Sequence, residues 1–393
     1  MKFQVGQQKL IKLCFYSFKI KCFFLLISLA GGAASSQNAK CPFQYLYHFG
    51  DGFTDIGNSI VMGNVSEQNS SPAASWPYGI TTPGRPTGRW SDGLSDLDYA
   101  ATDFGLPNIT PFLSMNASID YDGVVFSVGG SPILGMKYYK SKGINFPTYA
   151  TPLWKQISWF KKYLKSVCST NADCIAARLE KSLVLFGHIS GNDIGYPLAQ
   201  GMSIEEVGDN YVHVVIQKTM HFVQLVIIDQ QMVIEMGAKL IIIPGNAPLG
   251  CFPYILTALP SNDSTSYDDL GCLKSVNDLI VSKNKDLQLA ISGLSVQYPK
   301  VTILYGPNGD LALKACCGIG GKYNYNSTRF CGSPGVPVCP YPNQYIFWDG
   351  MHFTDLAFAR TETRLIAPAL VLLNCTSQSS ASMSPITDTV ATM

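Results

Sequence analysis

The sequence predicts an α/β protein: a three-layer sandwich whose mainly parallel sheet is covered by helices on both faces. Three observations carry that reading. Short apolar runs rich in β-branched and aromatic residues recur along the chain, longer segments of helical period separate them, and polar or glycine-rich clusters follow several of the runs.

The runs Tyr45–Phe49, Gly123–Val128, Ser182–Phe186, Ala238–Pro244 and Val301–Tyr305 read as strands. They are almost continuously apolar, as strands of a parallel sheet buried on both faces are. In Leu153–Val167, the residues Leu153, Ile157, Phe160 and Leu164 fall on one helical stripe. Residues 203–236 read as one long helix or two. Residues 275–297 carry Leu279, Ile280, Leu287, Ile291 and Leu294 at helical spacing, and residues 355–373 read as the last helix. No repeat and no linker divides the chain, so one domain is expected from about residue 41 to 375. The polar tail 376–393 is expected to be disordered.

The N-terminus reads differently. Residues 1–34 hold five lysines and no acid. A basic stretch to Lys21, an apolar stretch Cys22–Ala30 and the small residues Gly31–Ser36 follow in that order. This is the pattern of a secretory signal peptide, assigned to residues 1–36 with cleavage between 33 and 40. The apolar run is well short of the ~20 residues a membrane span needs, so no span is expected after cleavage. A formal net charge of +1 gives no electrostatic case for a nucleic-acid partner. Of the 12 cysteines, Cys14 and Cys22 fall in the leader. The remaining even number suits disulfides in an oxidising compartment, and Cys168 and Cys174 bracket a short loop. No Cys-x-x-Cys pair occurs, and no metal or cofactor is expected. Sequons at Asn64, Asn69, Asn108, Asn116, Asn262, Asn326 and Asn374 are expected glycosylation sites of a secreted chain. The ER lumen, the vacuole and the extracellular space all fit.

Ligands of such sheets bind beyond the carboxyl ends of the strands. Three clusters belong there: Gly50–Asn58, Gly129–Ser131 and Gly191–Asp193. A fourth, Asp349–His352, lies near the C-terminus. An Asp three residues before a His can bond the imidazole, fix its tautomer and raise its basicity. The side chain of Asn192 and the backbone N–H of Gly130 can serve a developing oxyanion. Singly, each cluster also reads as an ordinary turn.

Together they resemble a family. Phe49-Gly-Asp-Gly-Phe-Thr-Asp-Ile-Gly-Asn58 is similar to the Phe-Gly-Asp-Ser-x-x-Asp-x-Gly-Asn block that opens the GDSL (SGNH) hydrolases, and the other clusters follow in that family's order. Pro86–Trp90, Ile243–Pro253, Cys316–Asn326, Gly335–Pro340 and the stretch IFWDGMHFT at 346–354 extend the resemblance over nearly all of the expected mature chain. It points to plant GDSL esterase/lipases, especially those like acetylajmalan esterase. The resemblance implies the SGNH-hydrolase, flavodoxin-like form of the sandwich. It makes His352 the general base, Asp349 its orienting partner, and Gly130 and Asn192 the oxyanion donors. The nucleophile position holds Gly52, which has no side chain to acylate. Val125 stands where the family usually carries Asn.

The expectation is therefore a non-catalytic relative, leaning away from an enzyme. It would bind a small apolar ester or alkaloid-like ligand of plant specialised metabolism, a glycan, or an active GDSL esterase paralogue as a heteromer. One alternative is a weak hydrolase or acyltransferase using Asp349 and His352 with activated water or Thr54. Ser127 and Ser131 are weaker substitutes. The other alternative is non-hydrolytic base chemistry in the same cleft.

Overall fold

A computed structural model describes residues 41–361, apart from 64–70, 107, 117, 118, 120, 189, 230–233, 236, 237 and 307–312, together with Cys375. The expected signal peptide 1–36, the tail 376–393 and the sequons at Asn64, Asn69 and Asn374 lie outside the described residues.

The main sheet is built from β1 (Tyr45–Gly50), β2 (Ile109–Pro111), β3 (Gly123–Val125), β4 (Ser182–Gly187), β7 (Leu240–Pro244) and β8 (Thr302–Gly306). The short strands β5 (Ile228–Asp229) and β6 (Ile234–Glu235) form a separate antiparallel pair. The six strands lie in the order β2-β3-β1-β4-β7-β8, and every neighbouring pair is parallel. From β1 the chain crosses to the edge strand β2 and returns to β3 on one side, and from β4 it builds outward on the other through β7 and β8. The direction of winding thus reverses between β1 and β4, and a crevice opens beyond their carboxyl ends.

Alternate residues of each strand feed two cores. Tyr47, Phe49, Val184, Phe186, Ile241 and Ile243 pack with the helices Leu153–Val167, His213–Ile227 and Lys274–Gln297. Leu46, Val125, Leu183, Leu185, Leu240 and Ile242 face the opposite way, against Leu97, Ala100 and Ala101 of the helix Asp96–Asp103. The result is the expected three-layer α/β sandwich. Aliphatic and aromatic side chains on both sheet faces explain the unbroken apolar runs.

Some elements differ from expectation. The segment expected as one helix or two divides into Ile204–Val207, a wide π turn at Gly208–Val212, the helix His213–Ile227 and the β5–β6 pair. Gly208 and Asp209 are weak helix formers at the turn, and the β-branched Val226–Ile228 favours extended chain at the far end. Edge strand β2 was not anticipated; it has three residues and ends in Pro111, too short to show a period. The expected strand Gly123–Val128 ends as β3 at Val125, although the N–H groups of Phe126 and Val128 still donate to β1. The last helix is described at 355–361, and the rest of its expected span lies outside the described residues.

Ten cysteines form five disulfides: Cys41–Cys375, Cys168–Cys174, Cys251–Cys272, Cys316–Cys339 and Cys317–Cys331. They fit an oxidising compartment. Among the described residues no helix is long and apolar enough to cross a membrane. The last two bridges join Trp348, Tyr78, Trp90 and Tyr149 in a third core. The N–H groups of Cys316 and Cys317 donate to the carbonyls of Phe347 and Trp348. This knot holds the chain immediately before Asp349.

Candidate active site

The turn after β1 is wound by one buried carboxylate. Asp55 accepts the N–H groups of Gly57 and Asn58 at 2.8 Å, Ser59 at 3.1 Å and Gly129 at 2.8 Å. Asn58 donates to the carbonyls of Val125 and Ser127 and accepts the Leu113 N–H. These contacts fasten the glycine loop 129–131 to the turn that carries Gly52. A second fastener is Asp193, which accepts the N–H groups of Ile133 and Leu134 and the Tyr139 hydroxyl. Gly130 within that loop has φ +69°, a left-handed backbone that glycine adopts without strain.

Asp349–His352 is a compact turn. Asp349 Oδ1 accepts the N–H groups of Met351 and His352 at 2.9 Å, and Oδ2 lies 2.9 Å from His352 Nδ1. Tyr78, 271 residues away, donates its hydroxyl to the same Oδ2 at 2.8 Å. Burial alone would raise the Asp349 carboxyl. The facing imidazole, the Met351 N–H and the Tyr78 hydroxyl overcome this and hold it below its usual value. Trp90 and Phe53 flank the imidazole, with ring centroids 4.9 and 5.8 Å away.

The other ring nitrogen of His352 points at Gly52. A Cβ built on Gly52 would lie at or inside 3.0 Å of His352 Nε2 and Cδ2, closer than real Cβ contacts allow. The imidazole thus fills the space that a side chain at residue 52 would need. Gly52 is absent from the residues with left-handed φ, so the obstacle to a side chain is the imidazole and not the backbone.

His352, Asp349, Asn192 and Gly130 line one cleft of about 630 Å³, and Gly52 abuts it through His352. The expected site residues are therefore brought together. Asn192 donates from Nδ2 to Asp51 Oδ2 and to the Ser131 carbonyl, each at 3.1 Å. Those two bonds occupy both hydrogens of its amide. The cleft walls are aromatic: Trp90, Phe146, Tyr149, Tyr196, Tyr254 and Tyr325 are its main surfaces.

The candidate substitute hydroxyls do not meet the base. Thr54 is buried and donates to Ser127 Oγ at 3.0 Å; Ser127 Oγ also contacts His48 Nδ1. The turn directs Thr54 back toward β1, so the reading of Thr54 as nucleophile is corrected. Ser131 Oγ accepts the Thr151 N–H. Val125 packs in the core of the opposite sheet face and does not adjoin the oxyanion loop with its side chain.

Three residues near the site carried no readable signal as a group. His188, just past β4, lies with Nε2 3.0 Å from Asp96 Oδ2, and both residues are buried. Burial opposes the charge of His188, but Asp96 and then Asp51 raise its pKa above the usual value. Burial pushes the Asp51 carboxyl up to about 7, against the pull of His188, the Phe53 N–H and His352. Asp51 stood inside the quoted motif without a role; His188 and Asp96 stood in none.

Residues 46–360 match the family model described as GDSL-like Lipase/Acylhydrolase. This chain belongs to that GDSL family. Acetylajmalan esterase 2 of Rauvolfia serpentina is 38% identical over 368 residues, covering 90% of this chain and 97% of that protein. Acetylajmalan esterase of the same plant is 36% identical over 368 residues, 89% of this chain and 92% of that one. A GDSL esterase/lipase of Arabidopsis thaliana is 33% identical over 369 residues, 90% and 96% of the two chains. The matched GDSL region contains all four site clusters.

Proposed function

We propose that this GDSL-family chain acts by binding a small apolar ester or alkaloid-type ligand in its aromatic cleft, without forming an acyl-enzyme. The observation that carries the reading is the corner at Gly52: residue 52 has no side chain, and the His352 imidazole stands where one would begin. In this reading Gly52 replaces the serine nucleophile of catalytic relatives. Covalent acyl transfer needs an attacking atom within reach of base and oxyanion donors, and residue 52 supplies none. The cleft has the size and apolar walls of a small-molecule site, and relatives named for an acetylated alkaloid suggest the ligand class. The signal peptide and glycans belong to the same proposal, as does a catalytically active paralogue as partner; co-purification of such a relative would support the last.

The test combines a fluorophosphonate probe with tryptophan quenching by uncleavable aromatic ethers. The expected result is saturable quenching with no labelling and no burst. Labelling of the wild-type chain would overturn the reading.

A second reading has an observation of its own. The Asp349–His352 pair is intact and faces the cleft, so it can assist water in slow, direct ester hydrolysis. Losing the serine of a subtilisin-type triad leaves ~10³–10⁴ over the uncatalysed rate.

A further inference from the structure

Carboxyls and imidazoles alternate along five buried groups, Asp96, His188, Asp51, His352 and Asp349, of which His352 and Asp349 line the cleft. The outer links are direct, 3.0 Å from Asp96 to His188 and 2.9 Å from His352 to Asp349. Between the imidazoles lies a chamber of about 30 Å³, bounded by Asp51, His188, Asn192, Asn246 and His352 among others. A water needs roughly 10–15 Å³ of such volume and two to four polar partners. The chamber has room for one or two. It shares Asn192, Tyr254, Met351 and His352 with the cleft, so the two adjoin.

His188 is held there against local preference. Its φ is +47°, left-handed for a residue that is not glycine. Its ring is buried against Phe53, with centroids 4.7 Å apart. The second oxygen of Asp96, Oδ1, is buried with no hydrogen-bond partner among the described residues.

We propose that Asp51, with His188 as its positioning partner, is an acid–base residue of this cleft that activates a chamber water for direct attack on an ester carbonyl. The proposal rests on the second, hydrolytic reading. As the water oxygen bonds to the carbonyl carbon, its O–H breaks and the proton passes to the Asp51 carboxylate. The acyl C–O bond then breaks, and the departing alkoxide takes that proton back from the Asp51 carboxyl. The products are one acid and one alcohol, and Asp51 regains its starting state. A carboxyl titrating at about 7 is suited to a base working near neutrality. The groups facing His188 are Asp96 from its helix, Asp51 from the turn after β1, and His48 from β1.

The test is steady-state hydrolysis of 4-nitrophenyl acetate by the full secreted chain from pH 5 to 9, with binding of uncleavable 4-nitroanisole followed by tryptophan quenching. We expect turnover without a burst, rising through an apparent pKa near that of Asp51. Asp51→Asn lowers the plateau by ~10²-fold or more while 4-nitroanisole still binds. His188→Gln moves the rising limb to higher pH, because a neutral amide no longer favours the Asp51 anion. A merely structural role for His188 would not move that limb. Absent turnover with binding intact, an Asp51→Asn plateau within twofold of wild type, or an unmoved limb in His188→Gln would each overturn the proposal. Absent 4-nitroanisole binding would overturn the binding reading instead. If Asp51→Asn does not fold, the limb of His188→Gln decides alone.

Discussion

The two Asp–His pairs of this molecule share their chemistry and differ in support. Asp349 and His352 are three residues apart on one turn, and Asp349 also holds two backbone N–H groups and the Tyr78 hydroxyl. Asp96 and His188 are 92 residues apart and meet through one contact. Among the described residues one buried oxygen of Asp96 has no partner, and His188 has a left-handed backbone. The first pair would be needed for the shape of its loop even if it did no chemistry. Its presence beside Gly52 is therefore weak evidence of use. The second pair satisfies little beyond itself and incurs burial and strain. Use is the better explanation where structure gains least.

The largest expected effect breaks the comparison on the Asp349–His352 side. Gly52→Ser should gain fluorophosphonate labelling, an acyl burst and a rise in ester turnover of at least ~10²-fold. That is part of the ~10⁶ that a serine contributes to a subtilisin-type triad. The backbone of Gly52 permits a side chain, so the cost is displacement of the His352 ring. Gly52→Ala, which makes the same steric demand without a hydroxyl, should gain nothing. Equal labelling in both variants would show that the imidazole, and not the missing hydroxyl, decides reactivity.

One side of this contrast, the Asp349–His352 turn, was legible in the sequence, and the reason the other was not is distance along the chain. The strands announced themselves because side chains on both faces are buried, and Leu153–Val167 because its apolar stripe is regular. The four clusters could be found because each is a short contiguous motif. Val125 drew attention as a departure near the oxyanion loop, yet it faces the other core. The bond from Tyr78 to Asp349 and the pair Asp96–His188 join residues that no local pattern connects. Nor could the motif reveal that His352 would occupy the space beside Gly52, since that depends on how two distant turns dock.

A smaller effect tests the opposite side. Burial pushes the Asp51 carboxyl up from its ordinary 3.8 to about 7 in the folded chain. A raised carboxyl pKa means the folded state binds the proton more tightly, so stability falls as pH rises from about 4 to 7 and then levels. A shift of this size corresponds to roughly 4 kcal/mol as an upper figure. Asp51→Asn carries no charge to bury. It should raise the melting temperature at pH 8 and change it little at pH 4. Equal shifts at both pH values would remove the buried ionisation from the account.

The smallest effect asks what makes Asp349 different from Asp96. Tyr78→Phe removes one hydrogen bond to a buried carboxylate and leaves the ring that packs on Trp90 and Trp348. A bond to a charged group contributes about 1.5–3 kcal/mol. Asp349 has a depressed pKa despite burial, so its contribution is present above the unfolded value and lost as pH falls through the folded one. Tyr78→Phe should bring the folded value back toward the ordinary range. The destabilisation should therefore be full at pH 7 and shrink as the solution is acidified below pH 4, measured by denaturant unfolding at each pH. The His352 ring should stay in place, because the Asp349 bonds to Met351 and His352 do not depend on Tyr78. A loss that persisted unchanged at pH 3 would mean that the hydroxyl acts through packing, and that the support distinguishing the two pairs is the turn alone.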